Sequence, residues 1–104
     1  MASFPSGGAD MPILRIQHSV PTFDGWKRAF DRDPVARKEG EVRRYRVHRS
    51  IADPNFVMID LEFDTVEKAE VFLQKLRGLW SGPGKAVMQN PEAWILETIE
   101  SKEV

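Results

Sequence analysis

The sequence of 104 residues has no cysteine, no marked charge of either sign and no long apolar run. The absence of cysteine excludes disulfides, thiolate metal sites and a cysteine nucleophile, and it suits a reducing compartment. Lysine and arginine (15) nearly balance aspartate and glutamate (16), whereas nucleic-acid-binding domains usually carry a basic surplus. No apolar stretch is long enough to cross a bilayer. These absences predict a cytoplasmic protein that binds neither nucleic acid nor a membrane.

The composition is typical of one globular domain. Hydrophobic residues make up 41% of the chain and charged residues 30%, a balance that argues against a disordered or fibrous protein. Residues 1–11 are rich in Ser, Gly, Pro and Ala, so we expect a disordered tail there and not a secretory signal. The domain is predicted to occupy residues 12–100, with residues 101–104 as a C-terminal tail. Such a short domain has a small core, which favours pairing with a second copy.

Two strands in the middle of the chain give the clearest local pattern. Residues 41–51 and 55–63 have strand character on either side of a turn centred on Asp53, which predicts an antiparallel hairpin. Pairing symmetric about Asp53 gives two apolar pairs on one face and two opposite-charge pairs on the other: Val47 with Ile59, Tyr45 with Leu61, Arg46 with Asp60, and Arg44 with Glu62. A slip of one residue would set arginines in the apolar row. Alternating residues also predict a first strand over 12–18 and a last strand over 92–100.

Two helices are predicted from apolar residues at helical spacing. Thr22 is the predicted N-cap of the first helix, whose apolar face consists of Phe23, Trp26 and Phe30. A proline interrupts this helix and residues 34–38 add another turn, so we expect a kinked or two-part helix. The second helix is predicted to begin with a capping box at Asp64 and to end at Gly78 and the Ser-Gly-Pro-Gly stretch that follows.

The order β-α-β-β-α-β predicts a ferredoxin-like α+β fold. Right-handed crossovers would place both helices on one face of a four-stranded antiparallel sheet. The sheet face under the helices is then apolar apart from His18 and Tyr45. The opposite face carries mainly polar residues, among them Arg15, Gln17, Arg44, Arg46, His48, Asp60 and Glu62. That face is either solvated or lines a dimer interface held by paired charges.

Five segments share the pattern and layout of a known superfamily. They are Arg-Ile-Gln-His at 15–18, Phe-Asp-Gly-Trp at 23–26, Arg-Tyr-Arg-Val at 44–47, Met-Ile-Asp-Leu-Glu-Phe at 58–63 and the helix at 67–73. Together they resemble the dimeric α/β-barrel superfamily, which includes antibiotic biosynthesis monooxygenases. The resemblance implies a homodimer in which two sheets pack back to back, with an active cavity in each subunit between sheet and helices. In such monooxygenases an asparagine, a tryptophan and a tyrosine or histidine line the cavity, whereas both asparagines of this chain fall in predicted loops.

His18 and Tyr45 are the candidate catalytic residues. His18 is predicted to end a central strand on the helix side near Trp26, where a neutral imidazole can act as a general base or bind a substrate. The alternative for His18 is a purely structural strand-end histidine. Tyr45 is the only tyrosine and lies in an apolar row, where its hydroxyl needs a partner or a cavity. The alternative for Tyr45 is packing in the core.

The candidate ligand-binding residues fall into two groups. Trp26 and Trp80 could form the walls of a pocket for an aromatic or polycyclic ligand, although tryptophans at helical spacing also serve as core. The second group is charged and could bind an anionic ligand inside a barrel or form structural ion pairs; it consists of Arg44, Arg46 and Asp60, with His48 and Glu62 beside them. No metal site is predicted, because the two histidines have no clustered carboxylates on the same face. No cofactor is predicted either.

Two functions remain open at this level. The first is a small-ligand-binding domain, such as a cofactor-independent oxygenase or cyclase-like enzyme that acts on an aromatic metabolite. The second is a non-catalytic dimerisation or stress-response protein whose polar face serves assembly. The second function predicts no cavity of ligand size, whereas a void that touches His18 would favour the first. The sequence does not decide whether the protein is an enzyme.

Overall fold

The computed structural model describes residues 11–82 and 89–104. It contains six elements in the predicted order: β1 (Ile13–Ser19), α1 (Phe23–Asp31), β2 (Arg44–Arg49), β3 (Phe56–Glu62), α2 (Val66–Trp80) and β4 (Gln89–Leu96). The four strands form one sheet in the order β2-β3-β1-β4, and every neighbouring pair is antiparallel. The ferredoxin-like α+β fold predicted from the order of elements is confirmed. The predicted tail at residues 1–11 lies almost entirely outside the described residues.

The register of the β2-β3 hairpin is the one predicted from symmetry about Asp53. Val47 lies opposite Ile59, and Tyr45 lies opposite Leu61. The charged positions on the other face alternate with these apolar positions, as the period of a strand requires. A single register therefore satisfies both faces of the hairpin.

The core lies between the sheet and the helices. Alternate residues of β1 and β3 are buried on this side, including Leu14, Ile16 and His18 on β1. The helices cover them with Trp26 from α1 and four residues from α2: Ala69, Phe72, Leu73 and Leu76. Tyr45 shares this sheet face but is 45% exposed, because β2 is the edge strand of the sheet. The core packing considered for Tyr45 is therefore wrong.

The first helix is a single helix. As predicted, Thr22 caps α1, and its Oγ1 accepts a hydrogen bond from the backbone N–H of Gly25 at 3.1 Å. The prediction of a kinked or two-part helix is wrong, because α1 ends at Asp31 and residues 34–38 form only turns. Asp33 and Ala36 adopt left-handed backbone conformations, with φ of 56° and 52°, and this conformation cannot continue a right-handed helix.

The N-cap of the second helix lies one residue later than predicted. Thr65, and not Asp64, is the N-cap of α2, and its Oγ1 accepts a hydrogen bond from the backbone N–H of Lys68 at 3.2 Å. The Asp64 carboxylate instead binds Arg43 at 2.6 Å. At its other end the helix passes through Gly78 to Trp80 and is capped by Ser81, the first residue of the predicted Ser-Gly-Pro-Gly stop. In the described part of the chain no helix is long and apolar enough to cross a membrane.

The last strand is displaced towards the N-terminus relative to its prediction. It covers Gln89–Leu96, whereas the sequence pattern placed it over 92–100. Asn90, which was predicted to lie in a loop, has a left-handed φ of 51° at a shift in register between β1 and β4. Pro91 fits within β4 because an edge strand does not need every backbone N–H for the sheet. Residues 97–104 follow without regular secondary structure.

Candidate functional site

A cavity of about 270 Å³ lies between the sheet and the helices. Most of its walls are apolar and aromatic. The sheet contributes Ile16, His18, Ile59 and Leu61, and the helices contribute Trp26, Ala29, Phe30, Phe72, Leu76, Leu79 and Trp80. The segment between α1 and β2 completes the lining with Arg32, Pro34, Val35 and Arg37. Ligand pockets usually measure about 300–1,000 Å³, so this cavity suits a small ligand.

His18 is the buried polar residue of the cavity wall. It is 1% exposed, and its Nδ1 lies 3.3 Å from the carbonyl oxygen of Ser19. Because a carbonyl oxygen can only accept a hydrogen bond, this contact places the proton on Nδ1 and leaves Nε2 with a lone pair. Nε2 has no hydrogen-bond partner among the described residues. Burial lowers the pKa of His18 from 6.5 to about 4, although the Ser19 contact opposes this shift, so the imidazole is neutral at neutral pH.

Trp26 contacts the imidazole of His18 from the helix side. The two rings meet edge to face, with centroids 5.8 Å apart. Trp26 in turn stacks on Phe30, one helical turn further along α1, at 5.0 Å. The i, i+4 spacing of the two residues brings their rings together on one face of the helix. The sequence-predicted neighbourhood of His18 and Trp26 is thus present in the structure.

Trp80 completes the other side of the cavity from the last position of α2. Its indole Nε1 is buried and has no hydrogen-bond partner among the described residues. The sequence pattern predicted Trp80 only as an apolar wall. Because a buried indole N–H normally has a partner, this nitrogen is a potential polar contact that the spacing of apolar residues did not reveal.

Arg37 is a further cavity residue that sequence reasoning missed. Its guanidinium carbon lies 3.9 Å above the ring of Phe30 and 4.9 Å from the ring of Tyr45. Nη1 donates a hydrogen bond to the Phe30 carbonyl oxygen at 3.0 Å, and Nε lies 3.3 Å from the Asp33 carboxylate. These contacts fix the cation at the cavity wall. No periodic signal marks Arg37, because its place depends on the left-handed residues of the connecting segment.

Tyr45 lies apart from His18. It does not line the cavity, and its ring contacts Phe30 edge to face at 5.3 Å. It belongs instead to an open hollow of about 430 Å³, lined mainly by charged residues, which shares Arg37 with the cavity. The structure therefore brings His18, Trp26 and Trp80 together but separates the two candidate catalytic residues.

The predicted charged group lies on the other face of the sheet. We call this the open face, because neither helix covers it. Side chains that lie opposite one another on neighbouring strands form a row across this face, and one such row consists of Arg46, Asp60, Arg15 and Trp94. Asp60 binds Arg15 at 2.8 and 2.9 Å and lies 3.6 Å from His48. The hydrogen bonds from Arg15 lower the pKa of Asp60, against a smaller opposing effect of burial. These charges thus form ion pairs away from the cavity.

The cross-strand ion pairs predicted in the hairpin formed only in part. Arg44 binds Glu62 at 3.1 Å, as predicted. Arg46 lies directly opposite Asp60, but within residues 11–82 and 89–104 the Asp60 carboxylate forms its ion pair with Arg15, and His48 is its other side-chain neighbour. The same residues contain no cluster of three potential metal ligands.

The comparisons with known proteins agree with the fold. The class that the fold defines is the ferredoxin-like α+β domain. A protein from Pseudomonas aeruginosa has a TM-score of 0.65 at 15% identity, with 91% of this chain and 100% of that chain covered. A protein from Nitrosomonas europaea, provisionally named an antibiotic biosynthesis monooxygenase, has a TM-score of 0.64 at 14% identity, with coverage of 86% and 90%. A Bordetella bronchiseptica protein with the same provisional name has a TM-score of 0.56 at 20% identity, with coverage of 90% and 99%.

These likenesses agree with the ferredoxin-like fold that the order of elements predicts. At such identities they concern the fold alone. No protein-family model and no curated protein matches the sequence.

Proposed function

We propose that the domain binds a small aromatic ligand in the cavity between sheet and helices. The observation that carries this proposal is a cavity of about 270 Å³ with Trp26, Phe30 and Trp80 in its wall. Flat aromatic ligands gain both buried apolar area and ring contacts from such a lining. The alternative of a purely structural protein predicted no cavity of ligand size, so the cavity favours ligand binding.

The ligand is, in this proposal, the substrate of a cofactor-independent oxygenase or a cyclase-like enzyme. His18 is the group that would accept a proton from the substrate, because its Nε2 lone pair has no partner among the described residues. The provisional names of the Nitrosomonas and Bordetella proteins support an oxygenase. Tyr45 does not line the cavity, so its proposed role is to support Phe30 and Arg37 at the cavity wall and not to react.

Filling the cavity tests ligand binding directly. Replacing Ala29, which lines the cavity on α1, with Phe should abolish saturable binding of 2-naphthol, measured by quenching of tryptophan fluorescence. Val71→Phe is the matched control, because Val71 is exposed on α2 and does not line the cavity. Wild-type protein without saturable binding, or equal binding by Ala29→Phe, would contradict the proposal.

Oxygen consumption separates binding from catalysis. A set of hydroxylated bicyclic aromatics that bind should be converted with uptake of dissolved oxygen by an oxygenase, or rearranged without uptake by a cyclase-like enzyme. His18→Phe should lose conversion while it retains an aromatic ring beside Trp26. If the compounds bind but none is converted, ligand binding would be supported and the proposed enzyme activity would be excluded.

We also propose that two copies pair through their open faces. Trp94 and Leu96 are exposed there, at 43% and 37%. Covering these side chains would add apolar burial that a small domain lacks. Sedimentation should show a dimer that Trp94→Glu dissociates, whereas Val71→Glu on α2 should leave the dimer intact. A wild-type monomer at micromolar concentration would rule out this pairing.

A further inference from the structure

The charged side chains of the cavity wall lie together in one segment. Arg32 and Arg37, both from the segment between α1 and β2, are the charged residues of the described lining, which contains no carboxylate. Within that described lining, Arg32 and Pro34 are the exposed residues. The most exposed part of the wall is therefore cationic, whereas the parts contributed by the sheet and the helices are mainly apolar.

The guanidinium of Arg37 is fixed before any ligand binds. Its carbon lies 3.9 Å above the ring of Phe30, a cavity-wall residue, and its side chain is only 14% exposed. Its described polar contacts, to the carbonyl oxygen of Phe30 and to Asp33, use Nη1 and Nε. Nη2 makes no described hydrogen bond, and unlike the ring nitrogens of His18 and Trp80 it is not a solvent-shielded atom without a partner. A ligand that binds this preorganised cation loses little side-chain entropy.

Arg32 supplies a second positive charge at the same place. It is the C-cap of α1, it is exposed, and it lines the cavity. Its side chain forms no ion pair within residues 11–82 and 89–104. The two guanidinium groups and the carboxylate of Asp33, which pairs with Arg37, together leave one net positive charge. A ligand with a single negative charge neutralises it.

The end of α1 does not cancel this charge. A helix C-terminus carries partial negative charge on its free carbonyl oxygens and by itself disfavours an anion. Here the carbonyl oxygen of Phe30 accepts hydrogen bonds from Nη1 of Arg37 and from the backbone N–H of Asp33, each at 3.0 Å. The adjoining hollow, which shares Arg37 with the cavity, adds the cation Lys38. The electrostatic preference at this side of the cavity is therefore for an anion.

We propose that the ligand of the cavity is an aromatic carboxylate, whose ring lies among the apolar side chains and whose carboxylate is bound by Arg32 and Arg37. This proposal rests on ligand binding in the cavity as proposed above and names the chemical class of the ligand. A carboxylate at the exposed part of the wall keeps part of its hydration, so its transfer costs less than burial of a charge in the apolar interior. The guanidinium groups provide donors suited to carboxylate oxygens.

Matched bicyclic probes test the selection for an anion. 2-Naphthoate and 2-naphthamide have nearly the same shape and differ in charge, and 2-naphthol is the neutral probe already used for binding. Wild-type protein should bind 2-naphthoate about tenfold more tightly than 2-naphthamide, as expected for charge-assisted hydrogen bonds. Isothermal titration calorimetry measures these affinities without interference from probe fluorescence. Raising the ionic strength from about 0.02 M to about 0.5 M should reduce the ratio, because salt screens charges that solvent reaches.

Variants assign the preference to the two arginines. R32Q should lower the ratio of naphthoate to naphthamide affinity about threefold, because its guanidinium is exposed. R28Q is the matched control and should leave the ratio unchanged, since Arg28 lies one helical turn earlier on α1, is also exposed and does not line the cavity. R37Q should lower the ratio about tenfold, because this guanidinium is preorganised. If R37Q does not fold, R32Q and the salt dependence of wild-type protein still test the selection.

The outcomes distinguish this proposal from the function on which it rests. Equal affinities for 2-naphthoate and 2-naphthamide, with 2-naphthol bound, would overturn the selection for an anion and leave ligand binding intact. Equal losses of the ratio in R28Q and R32Q would show a general attraction to the protein surface and overturn binding by the cavity arginines. Failure of every probe to bind would overturn both proposals.

Discussion

Arg15 and Asp60 face each other across β1 and β3 and form a two-point ion pair, with Nε and Nη2 of the guanidinium 2.8 and 2.9 Å from the two carboxylate oxygens. Arg46 lies opposite Asp60 on β2, yet among the described residues the side chains that contact the Asp60 carboxylate are those of Arg15 and His48. Asp60 is buried, unlike most ion-pair partners on the protein surface. Its carboxylate is therefore the centre of the charge network on the open face.

Loss of the Asp60 charge should destabilise the fold. Asp60→Asn keeps the shape of the side chain but weakens both bonds from Arg15, and we expect a loss of about 2 kcal/mol in the free energy of unfolding. The matched control is Glu62→Gln, whose partner Arg44 is mostly exposed; a loss of about 0.5 kcal/mol or less is expected there. Urea unfolding of the two variants measures both values. Equal losses would show that burial of Asp60 does not strengthen its ion pair.

His18 should make stability depend on pH in the acidic range. Its pKa is about 4 in the folded protein and 6.5 when unperturbed, so the unfolded chain binds the proton more readily. The stabilisation is complete above pH 6.5 and is lost as the pH falls towards 4. By linkage the loss amounts to roughly 3 kcal/mol. The wild-type unfolding free energy should fall over this interval by more than that of His18→Phe.

The titration of His18 by proton NMR provides an independent check. The imidazole signals of His18 should stay unchanged from pH 8 to pH 5. A midpoint near 6.5 would contradict the neutral imidazole in the cavity wall and the role proposed for its lone pair.

Two glycines should respond in opposite directions to alanine. A Cβ on Gly40 would lie 2.5 and 2.6 Å from two ring carbons of the buried Phe72, so Gly40→Ala should cost about 2 kcal/mol through overpacking. Gly78 lies inside α2 with no atom within 4 Å of an added Cβ. Gly78→Ala should therefore gain about 0.5–1 kcal/mol from helix propensity. Chemical unfolding of both variants measures the two values, and destabilisation by Gly78→Ala would contradict the position of that residue in an open helix face.

The N-cap of α2 can be assigned by mutation. Thr65→Ala removes the side-chain acceptor for the Lys68 N–H and should cost about 1 kcal/mol. Asp64→Ala removes exposed ion pairs with Arg43 and Lys68 and should cost less than Thr65→Ala, because exposed pairs contribute little to stability. Thermal unfolding of the two variants gives the comparison. A larger destabilisation by Asp64→Ala than by Thr65→Ala would support the capping box at Asp64 that the sequence predicts.

The sequence by itself determined the local order of this protein and the sorting of its sheet faces. Hydrophobic alternation with a period of two allowed a single register for Tyr45, Val47, Ile59 and Leu61, and the structure has that register. Helical spacing likewise located Trp26 and Phe72 in the core. Such patterns are readable because each depends on residues close together in the chain.

Only the tertiary structure decided the composition of the cavity and the partners of its polar atoms. The edge position of β2 separates Tyr45 from His18, and the left-handed residues of the connecting segment bring Arg37 to the cavity wall. Likewise, Asp60 pairs with Arg15 and not with Arg46, and this pairing depends on side chains from different strands. These features depend on contacts between residues far apart in sequence, and a hydrophobic pattern does not encode where such side chains find, or fail to find, a hydrogen-bond partner.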